Sequence, residues 1–112
     1  MKQHGRINIE LREESRGKAP VVASKTRSTK PVNGKTLASV TYRAGTRMSE
    51  NFHSVALDVE VTLPVALSGP YGSEEYDADE VHAGMKECIE IAETTYEREA
   101  KGMRKILRQM AK

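Results

Sequence analysis

Between Ser54 and Pro64, apolar and polar residues alternate without a break. Val55, Leu57, Val59, Val61 and Leu63 fall on one side, and Ala56, Asp58, Glu60 and Thr62 on the other. Successive side chains of an extended chain point to opposite faces, so this run describes a strand with one buried and one wet face. The pairing is well specified, because a slip of one residue would bury Asp58 and Glu60. Pro64 lacks the N–H a ladder needs and is expected to end the strand.

The rest of the sheet is read around this strand. Residues 37–44 alternate as well, with Val40 and Tyr42 on one face and Ser39, Thr41 and Arg43 on the other. A polar connection from Gly45 to His53 would join the two as a hairpin, 37–44/54–63. Ile7, Ile9 and Leu11 alternate over 6–12, so this segment can add a third strand. Asn33-Gly34 is a favoured type I′ hairpin turn and could lead an edge strand near 26–32 into the next strand. Pro31 restricts such a strand to a sheet edge.

After a loop with Pro64, Gly69, Pro70 and Gly72, the period changes. Asp77 and Asp79 offer N-caps, and Asp77 with Glu80 has capping-box spacing. Val81, Met85, Cys88, Ile89, Ala92, Tyr96, Ala100, Met103, Leu107 and Met110 then recur at steps of three and four. A helix over about 79–111 would be roughly 50 Å long. Gly84 and Gly102 weaken it, and Gly102 marks a place where it could break. A globule about 30 Å across would leave such a helix projecting, with an apolar stripe that a second copy could cover. The core is also thin: of 112 residues 38% are hydrophobic, with four Tyr, one Phe and no Trp. Both points favour a homodimer through the C-terminal helix. The fold class expected is α+β, a small antiparallel sheet packed on one long helix.

Charge is segregated along the chain. Residues 1–35 hold nine Lys/Arg against three acids, residues 36–76 two against five, and residues 77–112 seven against eight. Within the first segment, the stretch from Arg16 to Lys35 is rich in Lys, Arg, Ser and Thr, with little apolar surface to offset its ordering entropy. Residues 1–35 are therefore expected to form a basic, partly flexible arm before a domain spanning 36–112. The helix is acidic up to Glu97 and basic from Arg98. That order suits its dipole and would make an antiparallel helix pair attractive.

The arm carries the strongest functional signal. Arg16, Lys18, Lys25, Arg27, Lys30 and Lys35 alternate with small hydroxyls. Cations neutralise phosphates and release counterions, and hydroxyls donate to phosphate oxygens. Arg98, Lys101, Arg104, Lys105 and Arg108 could add a second contact from the helix, and Tyr42 and Phe52 could stack on bases. The competing reading of each is plain: Tyr42 shares a face with Val40 and fits the core, and basic segments are common on proteins that never meet nucleic acid.

Nothing points to catalysis. Cys88 lies on the apolar stripe, where cysteine serves as a small core residue. His4, His53 and His82 are scattered, and His82 and Cys88 are badly spaced for zinc. Gly69-Pro70-Tyr71-Gly72 lacks the lysine and following helix of a phosphate loop. The acids from Glu74 to Glu80 lack calcium-loop spacing. No catalytic residue, metal site or cofactor is expected. A single cysteine does not suggest a disulfide-stapled secreted chain. The N-terminus leads into no apolar run of a signal peptide. The longest uncharged apolar stretch is far short of the roughly 20 residues of a membrane helix. The expected setting is cytoplasmic, with no membrane partner.

Ser39-Val40-Thr41-Tyr42, the run from Asn51-Phe52-His53-Ser54-Val55 through alternating valines to Pro64, and the acidic helix start together resemble a group of small phage or mobile-element proteins. The resemblance covers about 38–100. It implies a bacterial cytoplasm and a DNA-replication or host-interaction context. Two functions are carried forward. The first is a non-enzymatic accessory nucleic-acid-binding protein of low sequence specificity, phage-encoded, acting on DNA or RNA. The second is a protein–protein interaction module (inhibitor, adaptor or assembly factor) that uses the hairpin and the charge-split helix.

Overall fold

A computed structural model describes residues 2–110, without the side chains of Glu50, Met103, Arg104 and residues 106–110. Four strands and one helix follow in chain order: β1 (Lys2–Ser15), β2 (Val21–Asn33), β3 (Thr36–Glu50), β4 (His53–Leu67) and α1 (Ala78–Met110). The strands make one antiparallel sheet in the order β2-β1-β4-β3, and α1 packs against β4 and β3. The α+β class is as expected, but the sheet has four long strands rather than a hairpin.

The alternating run is the centre of the sheet. On one side Ile7, Ile9 and Leu11 face Val61, Val59 and Leu57; on the other, Tyr42, Ala44, Thr46 and Met48 face Val61, Val59, Leu57 and Val55. Directly opposed residues share a face, so the apolar sets of three strands form one surface. Val55, Val59 and Val61 are 0% exposed and Leu57 1%. Each such side chain stabilises the fold by roughly 1.5–3 kcal/mol.

The helix meets this surface through small residues: Gly84, Cys88, Ala92, Thr95 and Ala100 are buried. Small side chains bring the helix axis close to the bulky strand face. Met85, expected on this stripe, is 48% exposed and lies off it. Asp77 is the N-cap, its Oδ1 accepting from Asp79 N–H at 2.9 Å. Glu80 accepts instead from the backbone N–H and hydroxyl of Ser68, at 2.9 and 3.0 Å, and ties the end of β4 to the first turn.

Several local expectations give way to the sheet. Residues 1–35, expected as a partly flexible arm, carry β1 and β2, and β1 is a central strand of the same domain. Burial does not order β2. Its long backbone ladder with β1, from Lys2↔Asn33 to Glu13↔Val21, does so. The Asn33-Gly34 pair is not a hairpin, because β2 and β3 are the two opposite edges. Gly34 passes against Ala66, where an added Cβ would lie 3.1 Å from the Ala66 Cβ.

The true hairpin turn is Asn51-Phe52, both residues at positive φ (48° and 65°), so β3 runs through the expected polar connection to Glu50. Pro64 does not end β4. Its β1 neighbour is paired only up to Arg6↔Thr62, so Pro64 lies beyond the stretch flanked on both sides.

The helix runs through Gly102 to Met110, and Ala111, expected in it, lies outside the described residues. It does not overhang a small globule. Strands of up to 15 residues are themselves roughly 50 Å long, and the molecule extends 60 Å along its main axis. The sheet under the helix is thus of comparable length, and the Met103, Leu107 and Met110 side chains of the expected stripe lie outside the described residues.

Candidate nucleic-acid interface

From Ser15 to Ser49 the chain contains no Asp or Glu. The fold places that stretch as both edge strands and their connections, while five of the sheet's six acids, Glu10, Glu13, Glu14, Asp58 and Glu60, sit on the central strands β1 and β4, and the sixth, Glu50, ends β3 at the hairpin. The sheet thus has an acidic middle and basic edges. The two edges are not equivalent. On β3, Arg43 is ion-paired with Glu60 across the ladder, and Arg47 lies 3.8 Å from Glu14. On the β2 side, among the described residues, Lys18, Arg27, Lys30 and Lys35 are in no ion pair, and only Lys25 has a partner, Glu99 at 3.9 Å. That exposed pair contributes little.

The expected contact residues of the arm therefore run along one side of the molecule. Arg16 and Lys18 lie in the β1–β2 turn, closed by Lys18 N–H to the Ser15 carbonyl at 3.1 Å with Gly17 at φ 76°. Lys25, Arg27 and Lys30 follow on β2, and Lys35 lies in the connection at the far end. Register puts Lys25 opposite Ile9 and Arg27 opposite Ile7, on the face that carries the helix.

Between β2 and the helix run two adjoining hollows that share Ile91. One, of about 330 Å³, is lined by Arg27, Glu90, Thr94 and Arg98 among others; the next, about 320 Å³, by Thr29, Lys30 and Glu87. Arg98 therefore joins the β2 cations. Lys101 and Lys105 are exposed further along α1, and the Arg104 and Arg108 side chains lie outside the described residues. Glu87, Glu90 and Glu99 interrupt the cations on the helix side, so the strand edge is the more uniformly positive part.

The outer sheet face is polar and balanced. Glu10 stands directly opposite Asp58, Asn8 opposite Glu60, and the Thr41 and Thr62 hydroxyls hydrogen-bond at 3.0 Å. With acids at its middle, this face is poorly suited to phosphates. Tyr42 is partly buried against the core, whereas Phe52 is 75% exposed at the hairpin tip with the Arg16 guanidinium 5.0 Å above its ring. His53 Nδ1 and the Ser15 hydroxyl are 3.0 Å apart beside it.

Cys88 is buried at the helix–sheet contact, its thiol donating to the Val61 carbonyl at 3.1 Å. Burial pushes the thiol above its ordinary 9.0; a backbone hydrogen bond from Tyr42 opposes this, and Glu87 adds to it. A neutral, enclosed thiol is a poor nucleophile. Among the described residues no group of three His, Cys, Asp or Glu side chains could hold a metal, and no helix is long and apolar enough to cross a membrane.

Sequence reasoning found the cations but not their arrangement. The acid-free run from Ser15 to Ser49 was a visible sign of the basic edges, and Asn51 was a sign of the turn that displays Phe52. Comparison with protein-family models, curated proteins and solved structures gave no match.

Proposed function

We propose that this chain is a non-enzymatic accessory nucleic-acid-binding protein of low sequence specificity that holds phosphates along the β2 edge. The observation that carries the reading is the row Arg16, Lys18, Lys25, Arg27, Lys30 and Lys35, spread over the length of one open edge with no acid on the strand. Alternate residues of a strand repeat every ~6.6 Å, about two nucleotide rises of one B-form strand. Cation spacing at that scale suits a backbone and reads no base edges, hence the low specificity. The buried, unpaired Cys88 suits a reducing cytoplasm, and a phage-encoded origin belongs to the same proposal.

Lysines and a proline on an open edge also protect it from pairing with another chain. The two roles differ in salt response. Because β1 is central, charges must be removed in place rather than by truncation. Fluorescence anisotropy with labelled single- and double-stranded DNA and RNA should show binding at low salt. A Lys18→Ser/Arg27→Ser/Lys30→Ser/Lys35→Ser variant should bind more weakly, with a salt slope lower by about 0.7–0.9 for each phosphate contact removed. No binding to any probe at low salt would leave the edge-protection role alone.

The second reading, a protein-interaction module or homodimer, draws on the open 15-residue edge of β3. Light scattering at micromolar concentration that returns twice the chain mass would favour it.

A further inference from the structure

We propose that the Phe52–Arg16 tip is a base-stacking subsite, which makes single-stranded nucleic acid the preferred ligand; the inference rests on the nucleic-acid reading above. Two-residue hairpin turns of this kind need positive φ at both central positions, and Asn-Gly serves them best. Asn51 suits the first place. Phe52, at φ 65°, occupies the place that glycine fills without steric cost. A bulky residue is strained there, and with 75% of its surface exposed the ring gains little packing in return. Strain kept at an exposed position without a packing return points to use of the side chain itself.

The tip is also organised. The β1–β2 turn lies beside the β3–β4 turn, and Arg16 N–H donates to the Phe52 carbonyl at 3.2 Å while its guanidinium sits 5.0 Å from the ring centroid. The cation covers one side of the ring and leaves most of the ring surface to solvent. A nucleobase stacked there would lie next to Arg16 and Lys18, which can take the flanking phosphates. Glu14, which lines the hollow beside the tip, is engaged by Arg12 at 2.9 Å and Arg47 at 3.8 Å, and the Glu50 side chain, two residues before Phe52, lies outside the described residues. Duplex bases are already stacked on one another and offer no free face, so the subsite selects single strands. The same cations disfavour a basic protein partner and leave a polyanion as the fitting occupant.

The test uses the full chain, a labelled oligothymidine strand, an abasic strand of equal length, and a duplex, all by anisotropy. Wild type should bind oligothymidine more tightly than either other probe. Phe52→Gly should lose about 5- to 150-fold on oligothymidine, keep its affinity for the abasic strand, and show no fall in Tm. Phe52→Trp should bind at least as tightly as wild type. Equal wild-type affinity for base-bearing and abasic strands, or an unchanged Phe52→Gly affinity, would overturn the stacking subsite while leaving the phosphate edge standing. A lower Tm for Phe52→Gly would assign the ring a structural role and overturn the strain argument. No binding to any probe would overturn both readings.

Discussion

Gly84 and Gly102 lie on the same helix, yet the same substitution should have opposite effects at the two positions. Glycine to alanine in a helix interior gains about 0.8–1.0 kcal/mol of intrinsic propensity. At Gly102 nothing among the described residues lies within 4 Å of an added Cβ. Gly102→Ala should keep the whole gain and raise Tm by about 4 °C, taking about 2.1 cal/mol/K of unfolding entropy per residue.

At Gly84 the added methyl would overlap Val65 Cγ2 and lie 3.3 Å from Cγ1 and 3.4 Å from Cβ. Val65 is 8% exposed on a paired strand, and its β-branched χ1 is stiff, so it cannot swing away. Overpacking of this kind costs about 1–3 kcal/mol. Set against the propensity gain, Gly84→Ala should be about 0–2 kcal/mol less stable than wild type, and about 1–3 kcal/mol below Gly102→Ala.

Val65→Ala removes both clashing methyls and leaves an ordinary contact. In that background Gly84→Ala should stabilise by about 0.9 kcal/mol, a coupling of about 1–3 kcal/mol. Urea unfolding followed by far-UV circular dichroism measures all four corners of the cycle, with unchanged m-values as the condition for comparison. An additive cycle, or a Gly84→Ala variant as stable as Gly102→Ala, would refute the close approach of helix to sheet.

Three further outcomes follow from the same structure. A methyl on Gly5 would overlap Thr29 Oγ1 and lie 2.7 Å from the Thr62 carbonyl oxygen and 2.9 Å from Leu63 Cδ2. Gly5→Ala should lose about 1–3 kcal/mol in urea unfolding, and adding Thr29→Ala should not restore it, because the Thr62 backbone cannot retreat. Glu10 faces Asp58 directly across β1 and β4, so Glu10→Thr should gain about 0.2–1 kcal/mol, with the gain shrinking in high salt; no gain at low salt would count against the pairing. Cys88 has its native pKa raised above the ordinary 9.0. Its contribution is therefore intact below that pH and lost as pH rises from there toward the native value, at up to about 1.4 kcal/mol per unit. Wild type should weaken relative to Cys88→Ala above about pH 9, and a constant gap across that range would show that the thiol is not held neutral.

Legibility followed the size of the local signal. The Val55–Leu63 alternation identified the centre of the sheet, and the Ile7, Ile9, Leu11 triplet identified β1, because a half-buried strand writes its faces into its side chains. The helix was readable from its cap at Asp77 onward for the same reason. β2 was not. Its residues are almost all exposed, and its order comes from backbone hydrogen bonds to β1, which leave no mark on side-chain type. The second half of β3 was missed because Ala44, Gly45 and Thr46 mute the alternation. The candidate site shares this divide: its cations were legible, but their alignment on one edge, the neutralisation of Arg43 by Glu60, and the meeting of Arg16 with Phe52 were not.

By itself the sequence determined which faces are apolar, where the long helix begins, and that charge is unevenly distributed along the chain, since all three are properties of residue order and period. Tertiary structure decided the strand order β2-β1-β4-β3 and overrode Asn33-Gly34 as a hairpin in favour of Asn51-Phe52. A two-residue turn preference is worth little beside ladders that run the length of β1–β2 and β3–β4. That choice of partners, made between segments far apart in the chain, placed all the sheet's acids but Glu50 on the central strands and turned a basic stretch that looked like a loose arm into an ordered edge.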